Sequence, residues 1–162
     1  MSDYCVVVAD VAKARLFALE EADIGEGGPN LIEISGLANS EAEAAGKEIY
    51  SDDNPGRNVS SGGGGAHGYD DHRAQHLEEV ERRFAKVVVA ATLEAVERDK
   101  SGCLVLIAES RMMGHLREAL RRNAIDLKIK EVVKDLTKLP RYELHKYLAM
   151  NRVLPEREPA MS

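Results

Sequence analysis

Two runs of apolar residues, Tyr4–Ala9 and Cys103–Ala108, most restrict what this chain can fold into. Each run has the length of one β-strand and contains no charged side chain, which is typical of strands covered on both faces. The whole chain has 162 residues, a length that fits one domain. The two runs therefore predict neighbouring central strands in a single α/β domain.

The segments around these runs predict three more strands and three helices. Strands are predicted around Leu16 and Phe17 and over Leu31–Leu37, and their closeness to the first run favours an antiparallel meander. Helical periodicity extends from Asp71 to about Arg98, and Lys128–Val133 alternates like a fifth strand. The apolar stripe of the long helix is Leu77, Val80, Phe84, Val87, Val88, Ala91 and Ala95.

Two shorter helices complete the pattern β-β-β-α-β-α-β-α. Ser110 is the predicted N-cap of a helix over residues 111–123, and Pro140 opens a final helix that ends near Met150. Right-handed crossovers place strands four and five parallel to strand one. We therefore predict a three-layer α/β fold with a five-stranded mixed sheet in the order 3-2-1-4-5 and helices on both faces. That order resembles ribonuclease H-like domains.

The composition predicts one domain over residues 1–152, a flexible glycine-rich loop over 50–70 inside it, and a disordered tail over 153–162. Glycine loses the most conformational entropy on ordering, so we expect the loop to order only against a partner. A plain linker is the alternative. The glycine run lacks the Lys-Ser/Thr of a phosphate-binding loop, and we expect no cofactor. Candidate binding residues in this segment are Arg57, Gly62, Gly63, Gly64, Gly65 and His67.

The charge of the chain is unevenly distributed. Residues 1–110 carry 10 Lys or Arg and 21 Asp or Glu, whereas residues 111–152 carry 11 and 5, within a net charge of −6. The basic third either decorates exposed helix faces or docks on an anionic partner such as RNA or a ribosome. The protein as a whole is too acidic to coat nucleic acid generally.

The sequence predicts a cytoplasmic location without membrane association. Its first residues lack the basic and apolar regions of an export signal, and no apolar run approaches the roughly 20 residues that span a bilayer. Cys5 and Cys103 each lie in an apolar run, where we expect reduced, buried thiols. The sequence leaves open whether the chain forms a homo-oligomer.

Four motifs follow one another along the chain: Ala9–Phe17, Pro55–Arg57 with the later glycines and His67, Leu104–Ala108 followed by Arg111–Gly114, and Lys134–Leu139. In this order they resemble the bacterial family named for "protein required for attachment to host cells". The resemblance covers residues 4 to about 148.

That family in turn resembles the middle domain of archaeo-eukaryotic class 1 translation termination factors. Those domains carry a Gly-Gly-Gln loop between their strands and a long helix, and the glutamine acts on peptidyl-tRNA. Here Gly62–Gly65 occupy the same place in the order of elements, but Ala66 and His67 follow in place of a glutamine. The resemblance thus implies ribosome or tRNA association without peptidyl-tRNA hydrolysis.

Polar residues also follow the carboxyl ends of the predicted parallel strands, where ligands of open α/β sheets bind. Carboxylates gathered there hold metal ions in nucleases, which makes a hydrolase or metal-dependent nuclease the alternative function. The bland interpretation is that Asp10 and Asp135 form turns and Ser110 caps a helix. For Arg111 we expect an ion pair with Asp10 or Asp135. The candidates at the strand ends are Asp10, Glu109, Ser110, Arg111, Lys134 and Asp135.

One helical face offers a further metal-site hypothesis. His72, His76 and Glu79 lie within a narrow arc of the long helix, and His67 or Asp71 would add a ligand. A solvated polar flank explains the same pattern, and no metal-binding motif supports the site. The sequence therefore favours a non-catalytic binding module over an enzyme.

Overall fold

In the computed structural model, residues 3–21, 27–42, 64–123 and 126–158 are described, with side chains from residue 72 onward in the first long helix. The strands are β1 (Tyr4–Ala9), β2 (Lys13–Glu20), β3 (Asn30–Ala38), β4 (Cys103–Ala108) and β5 (Lys128–Val133). The helices are α1 (Gly64–Asp99), α2 (Ser110–Arg121) and α3 (Arg141–Met150). Residues 40–42 are also helical.

The five strands form one mixed sheet in the order β3-β2-β1-β4-β5. Strands β1, β2 and β3 pair antiparallel, whereas β4 pairs parallel with both β1 and β5. The predicted α/β class, sheet order and antiparallel meander are confirmed. The likeness to ribonuclease H-like domains stays a prediction.

Side chains of the central strands alternate between two apolar cores, one on each face of the sheet. Val7 and Leu106 are register partners that face α1 and α2, and they pack with Phe84, Val88 and Leu116. The neighbouring Val6 and Val105 point the opposite way, into a core closed by Leu144 and Leu148 of α3. Unbroken apolar runs are needed in β1 and β4 because both faces of these strands are buried.

The two cysteines are free thiols on opposite faces of the sheet. Cys5 belongs to the core under α1 and α2, and Cys103 belongs to the core under α3. Burial raises the pKa of the Cys5 thiol to about 12 and also raises that of Cys103. The sheet itself therefore separates the two sulfur atoms.

Two details of the helices differ from the sequence prediction. Val87 is 53% exposed, because adjacent helical residues point 100° apart and Val88 takes the position against the sheet. The N-cap of α2 is Glu109, whose carboxylate accepts hydrogen bonds from the backbone N–H of Arg111 at 3.0 Å and of Met112 at 2.8 Å. Glu109 is extended directly after β4, so Ser110 already lies inside the helix.

The predicted glycine-rich loop is shorter at its carboxyl end than the sequence indicated. Helix α1 begins at Gly64, so Gly64, Gly65 and His67 belong to its backbone instead of a loop. Arg57, Gly62 and Gly63 lie outside the described residues, and the mobility expected for residues 50–63 stays a prediction.

The segment 153–158 is packed against the domain, where the sequence predicts disorder. Leu154 is buried in the core under α3. The carbonyl oxygen of Pro155 lies 2.9 Å from His145 Nε2, and Gly28 and Glu158 exchange two backbone hydrogen bonds of 2.9 Å. Short apolar anchors and backbone pairing hold this segment despite its polar composition. Residues 159–162 lie outside the described part of the chain.

Candidate functional site

Asp10 and Asp135 meet at the carboxyl end of the sheet, on either side of Thr137. The Thr137 hydroxyl lies 2.8 Å from Asp135 Oδ1 and 3.3 Å from Asp10 Oδ2. One hydroxyl has one proton to donate, and the shorter distance favours donation to Asp135. Thr137 thereby links the turn after β1 to the segment after β5, two regions far apart in sequence.

Arg15 fastens the same segment from the neighbouring strand. Its NH1 donates to the carbonyl oxygens of Thr137 at 3.1 Å and Leu139 at 2.7 Å. The other side of its guanidinium forms an ion pair with Glu33 at 2.9 Å, and the group lies 4.9 Å from the centre of the Phe17 ring. Arg15 was not among the candidate residues, because its partners are carbonyl groups in a distant segment and no local pattern signals these contacts.

The geometry at the strand ends favours a structural role for these carboxylates. Asp10 Oδ1 accepts hydrogen bonds from the backbone N–H of Ala12 at 2.8 Å and Lys13 at 2.7 Å. Glu109 serves as the cap of α2, and Lys134 lies over the Tyr147 ring at 5.5 Å. Across the described ranges, no three His, Cys, Asp or Glu side chains are grouped so as to hold a metal ion.

The expected ion pair of Arg111 with Asp10 or Asp135 is wrong. Arg111 Nε lies 2.6 Å from Oε1 of Glu81, a side chain on α1 that is only 7% exposed. The buried His115 places its Nε2 3.5 Å from the same oxygen. Arg111 starts the helix that packs beside α1, and this packing carries its side chain to the other face of the sheet from α3.

The trio proposed as metal ligands on α1 is not gathered into a metal-holding group among the described side chains, which leave out those of His67 and Asp71. His72, His76 and Glu79 are exposed, and Glu79 lies 3.9 Å from Arg83, a pairing of helical neighbours. These three residues belong to the described part of the chain and are not among any metal-holding group there. The solvated-flank interpretation fits this face.

The arginines of α2 account for part of the basic third. Arg117 makes a bidentate contact with Glu131 on β5, with hydrogen bonds of 2.7–3.0 Å. These hydrogen bonds lower the pKa of the Glu131 carboxyl and raise that of the Arg117 guanidinium. Arg122 lies 3.7 Å from Glu118. On this side of the sheet, the positive charge is largely neutralised within the protein.

The cations on the α3 side differ from these arginines in having no carboxylate partner among the described residues. Within the described ranges, none of them forms an ion pair with a carboxylate. Two of the five lie over aromatic rings, and all five are exposed at the surface. They are Lys134, Lys138, Arg141, Lys146 and Arg152, which we call the α3 cations.

A groove runs beside α3, between its exposed face and the segment 155–158. One part has a volume of about 350 Å³ and is lined by Tyr142, Lys146, Met150 and Glu156, among others. A second part of about 230 Å³ extends to the start of β3 and to Arg141. Tyr142, His145 and Arg157 line both parts, so the two parts of the groove adjoin each other at these side chains.

No local sequence pattern predicts that Arg157 belongs to this groove. It lies in a segment whose Pro and Glu content is typical of a disordered tail. The spacing of Tyr142 and Lys146, which places them on one face of α3, was the available signal. This spacing alone does not predict a groove, because the opposite wall is formed by the distant segment 155–158.

The family description "Protein required for attachment to host cells" matches residues 5–148. The chain belongs to this family. No curated protein matches the sequence at the level of similarity we required. No helix in the described ranges is both long and apolar enough to cross a membrane.

The extent of the match separates two regions of this host-attachment-family protein. Asp10, Arg111, Asp135 and most of α3 lie within the matched residues, as does one wall of the groove. The opposite wall, with Glu156 and Arg157, lies beyond them.

Proposed function

We propose that this member of the host attachment family is a non-catalytic binding module that associates with the ribosome or tRNA. The observation that carries this proposal is the division of its positive charge. Three of the four arginines in residues 111–122 pair with carboxylates of the protein, the exception being Arg121, whereas none of the five α3 cations has such a partner among the described residues.

Unpaired surface cations gain most from a polyanion. Contacts between Lys or Arg and nucleic-acid phosphates release condensed counterions, which makes such binding strongly dependent on salt. The remaining surface carries the acidic excess of residues 1–110 and repels phosphate. We therefore expect one orientation on the partner, with the α3 side in contact.

The resemblance to termination-factor middle domains supports the same class of partner. The glycine run 62–65 ends where α1 begins, in the place that the Gly-Gly-Gln loop occupies in those domains. Since Ala66 and His67 follow the glycines, the proposed role is association and excludes their hydrolytic step.

We also propose a cytoplasmic location and an indirect contribution to host attachment, for example through altered gene expression. The two free, buried thiols support a reducing compartment. A homo-oligomer remains a prediction. Cell fractionation that placed the native protein on the outer surface would overturn this part of the proposal.

Co-sedimentation with ribosomes over a series of salt concentrations tests the proposal. The test variant replaces Lys134, Lys138, Lys146 and Arg152 by Gln, and the control removes four exposed charges on or beside α1 and α2, at Lys86, Arg98, Lys100 and Arg121. We expect salt-sensitive binding by the native protein and the control, and a large loss in the test variant. Absence of binding at low salt, or equal loss in both variants, would refute the proposal.

A hydrolase or nuclease is the second candidate, favoured only by the approach of Asp10 and Asp135 to one hydroxyl. Turnover of RNA or of an ester by the purified protein, abolished in both Asp10→Asn and Asp135→Asn, would support it. We expect no turnover, because these carboxylates already accept hydrogen bonds from the protein.

A further inference from the structure

We infer that the groove beside α3 binds one nucleotide of a single-stranded RNA, with a phosphate on Arg157 and the base against Tyr142. This inference rests on the proposed function and adds the binding site and the form of RNA. The groove can fail as a binding site while the proposed function stands.

Arg157 is held in a way that suits phosphate recognition. Its Nε donates a hydrogen bond to Asn30 Oδ1 at 2.7 Å, and Asn30 in turn donates from Nδ2 to the carbonyl oxygen of Gly27 at 3.3 Å. Its two terminal nitrogens have no hydrogen-bond partner among the described residues. A guanidinium fixed at one nitrogen and open at the other two presents the fork that binds phosphate oxygens.

Tyr142 offers a surface for a base. It is 64% exposed, although it is a large aromatic side chain. The Arg141 guanidinium lies 5.0 Å from the ring centre and donates to the phenol oxygen at 3.3 Å. Unpaired bases stack on aromatic rings and on guanidinium planes, whereas the bases of a duplex are not available for this contact.

Charge orients the nucleotide within the groove. Glu156 lines the larger part together with Lys146 and Arg157, so its carboxylate partly offsets their positive charge there and accepts hydrogen bonds from the amino groups of a base. Arg141 and Arg157 line the smaller part, where no acidic residue does. The phosphate therefore lies in the smaller part and the base in the larger one, between Tyr142 and the apolar Ala149 and Met150.

The wall that carries Arg157 is fixed to the domain before any ligand binds. Leu154 anchors it in the core, and His145 Nε2, facing a carbonyl oxygen that only accepts, donates to Pro155. The backbone pairing of Glu158 with Gly28 holds its other end. A groove formed in advance loses less entropy on binding than one that must close around its ligand.

Fluorescence anisotropy with a short labelled single-stranded RNA tests the inference in the full chain. Tyr142→Ala should weaken binding roughly five- to a hundredfold without changing its salt dependence, and Tyr142→Phe should retain it. Arg157→Gln should lower the salt slope by about 0.7, the value for one phosphate contact to a single strand. Arg121→Gln is the matched control and should leave binding unchanged, because Arg121 is an exposed arginine on α2 that forms no ion pair with a described residue.

The same RNA annealed into a duplex and free adenosine and guanosine monophosphates complete the experiment. We expect the single strand to bind more tightly than either the duplex, whose bases cannot reach Tyr142, or a monophosphate, which contacts the groove alone. RNA binding that survives both Tyr142→Ala and Arg157→Gln refutes the groove but leaves the proposed function intact. Monophosphate binding lost in these variants, without ribosome co-sedimentation, refutes the proposed function and keeps the groove as a nucleotide site. Equal affinity for duplex and single strand overturns the inference.

Discussion

Replacing Thr137 by valine tests whether the contact between Asp10 and Asp135 is structural. Valine keeps the shape of threonine and removes only its hydroxyl, at a position that is 2% exposed. The change deletes the 2.8 Å hydrogen bond to Asp135 and the 3.3 Å contact with Asp10. It leaves the surrounding apolar packing unchanged.

The expected loss follows from the remaining hydrogen bonds. A hydrogen bond to a charged group contributes about 1.5–3 kcal/mol to the free energy of unfolding. Asp10 keeps its two backbone donors, and Asp135 keeps the backbone N–H of residue 137 at 3.3 Å. Neither carboxylate is left without a donor, so we expect a loss in the lower half of that range, about 1.5–2 kcal/mol. For a chain of this size, the melting temperature should fall by roughly 3–8 °C.

Urea unfolding of the native protein, Thr137→Val, Asp135→Asn and the double variant measures this contribution. In the Asp135→Asn background the effect of Thr137→Val should shrink, because the charged acceptor is gone. A loss below about 0.5 kcal/mol, typical of surface substitutions, would refute our reasoning. So would full additivity of the two substitutions, since the hydroxyl and the carboxylate would then act independently.

Three further outcomes are expected. Glu109→Ala should lower the free energy of unfolding by about 1 kcal/mol and Ser110→Ala by less than about 0.5 kcal/mol, because Glu109 caps α2; the reverse ranking in urea unfolding would contradict this assignment. Arg117 holds the pKa of folded Glu131 below its usual 4.5, so stability from this pair is present above that pH and lost as pH falls through the lowered pKa. The difference in the free energy of unfolding between the native protein and Glu131→Gln should therefore shrink as the pH falls below 4.5. A difference that grew in acid would contradict this assignment. Alkylation of Cys5 should proceed only through unfolding at pH 8, where a thiol of pKa about 12 is roughly one part in ten thousand thiolate; labelling of the folded protein as fast as a free thiol would refute this.

The centre of the fold was predictable because its determinants are local. Tyr4–Ala9 and Cys103–Ala108 contain only residues that tolerate burial on both faces, and a right-handed crossover leaves few ways to connect them. Asp10 and Asp135 both approach the Thr137 hydroxyl, because they follow the ends of β1 and β5, which run in the same direction on either side of β4. No sequence pattern indicated that the Thr137 hydroxyl lies between the two carboxylates.

The partners of Arg111 and Arg157 were not predictable in this way. Arg111 reaches Glu81 because two helices pack side by side, and helix packing is set by many side chains at once. Arg157 reaches the groove because a single buried leucine anchors a polar segment. In both cases the decisive contact is tertiary, and no local pattern specifies it.

The distribution of the two cores along the chain has a consequence for folding during synthesis. The core on the α1 and α2 side is complete once α2 has been synthesised. On the other face, Val6, Val8 and Phe17 stay uncovered until Leu144 and Leu148 of α3 have been synthesised. A growing chain thus presents one finished face and one bare apolar face until its last segments emerge. Truncation or stalling before α3 would leave this apolar face exposed and prone to aggregation. The final part of the chain therefore protects the domain from aggregation by covering that face.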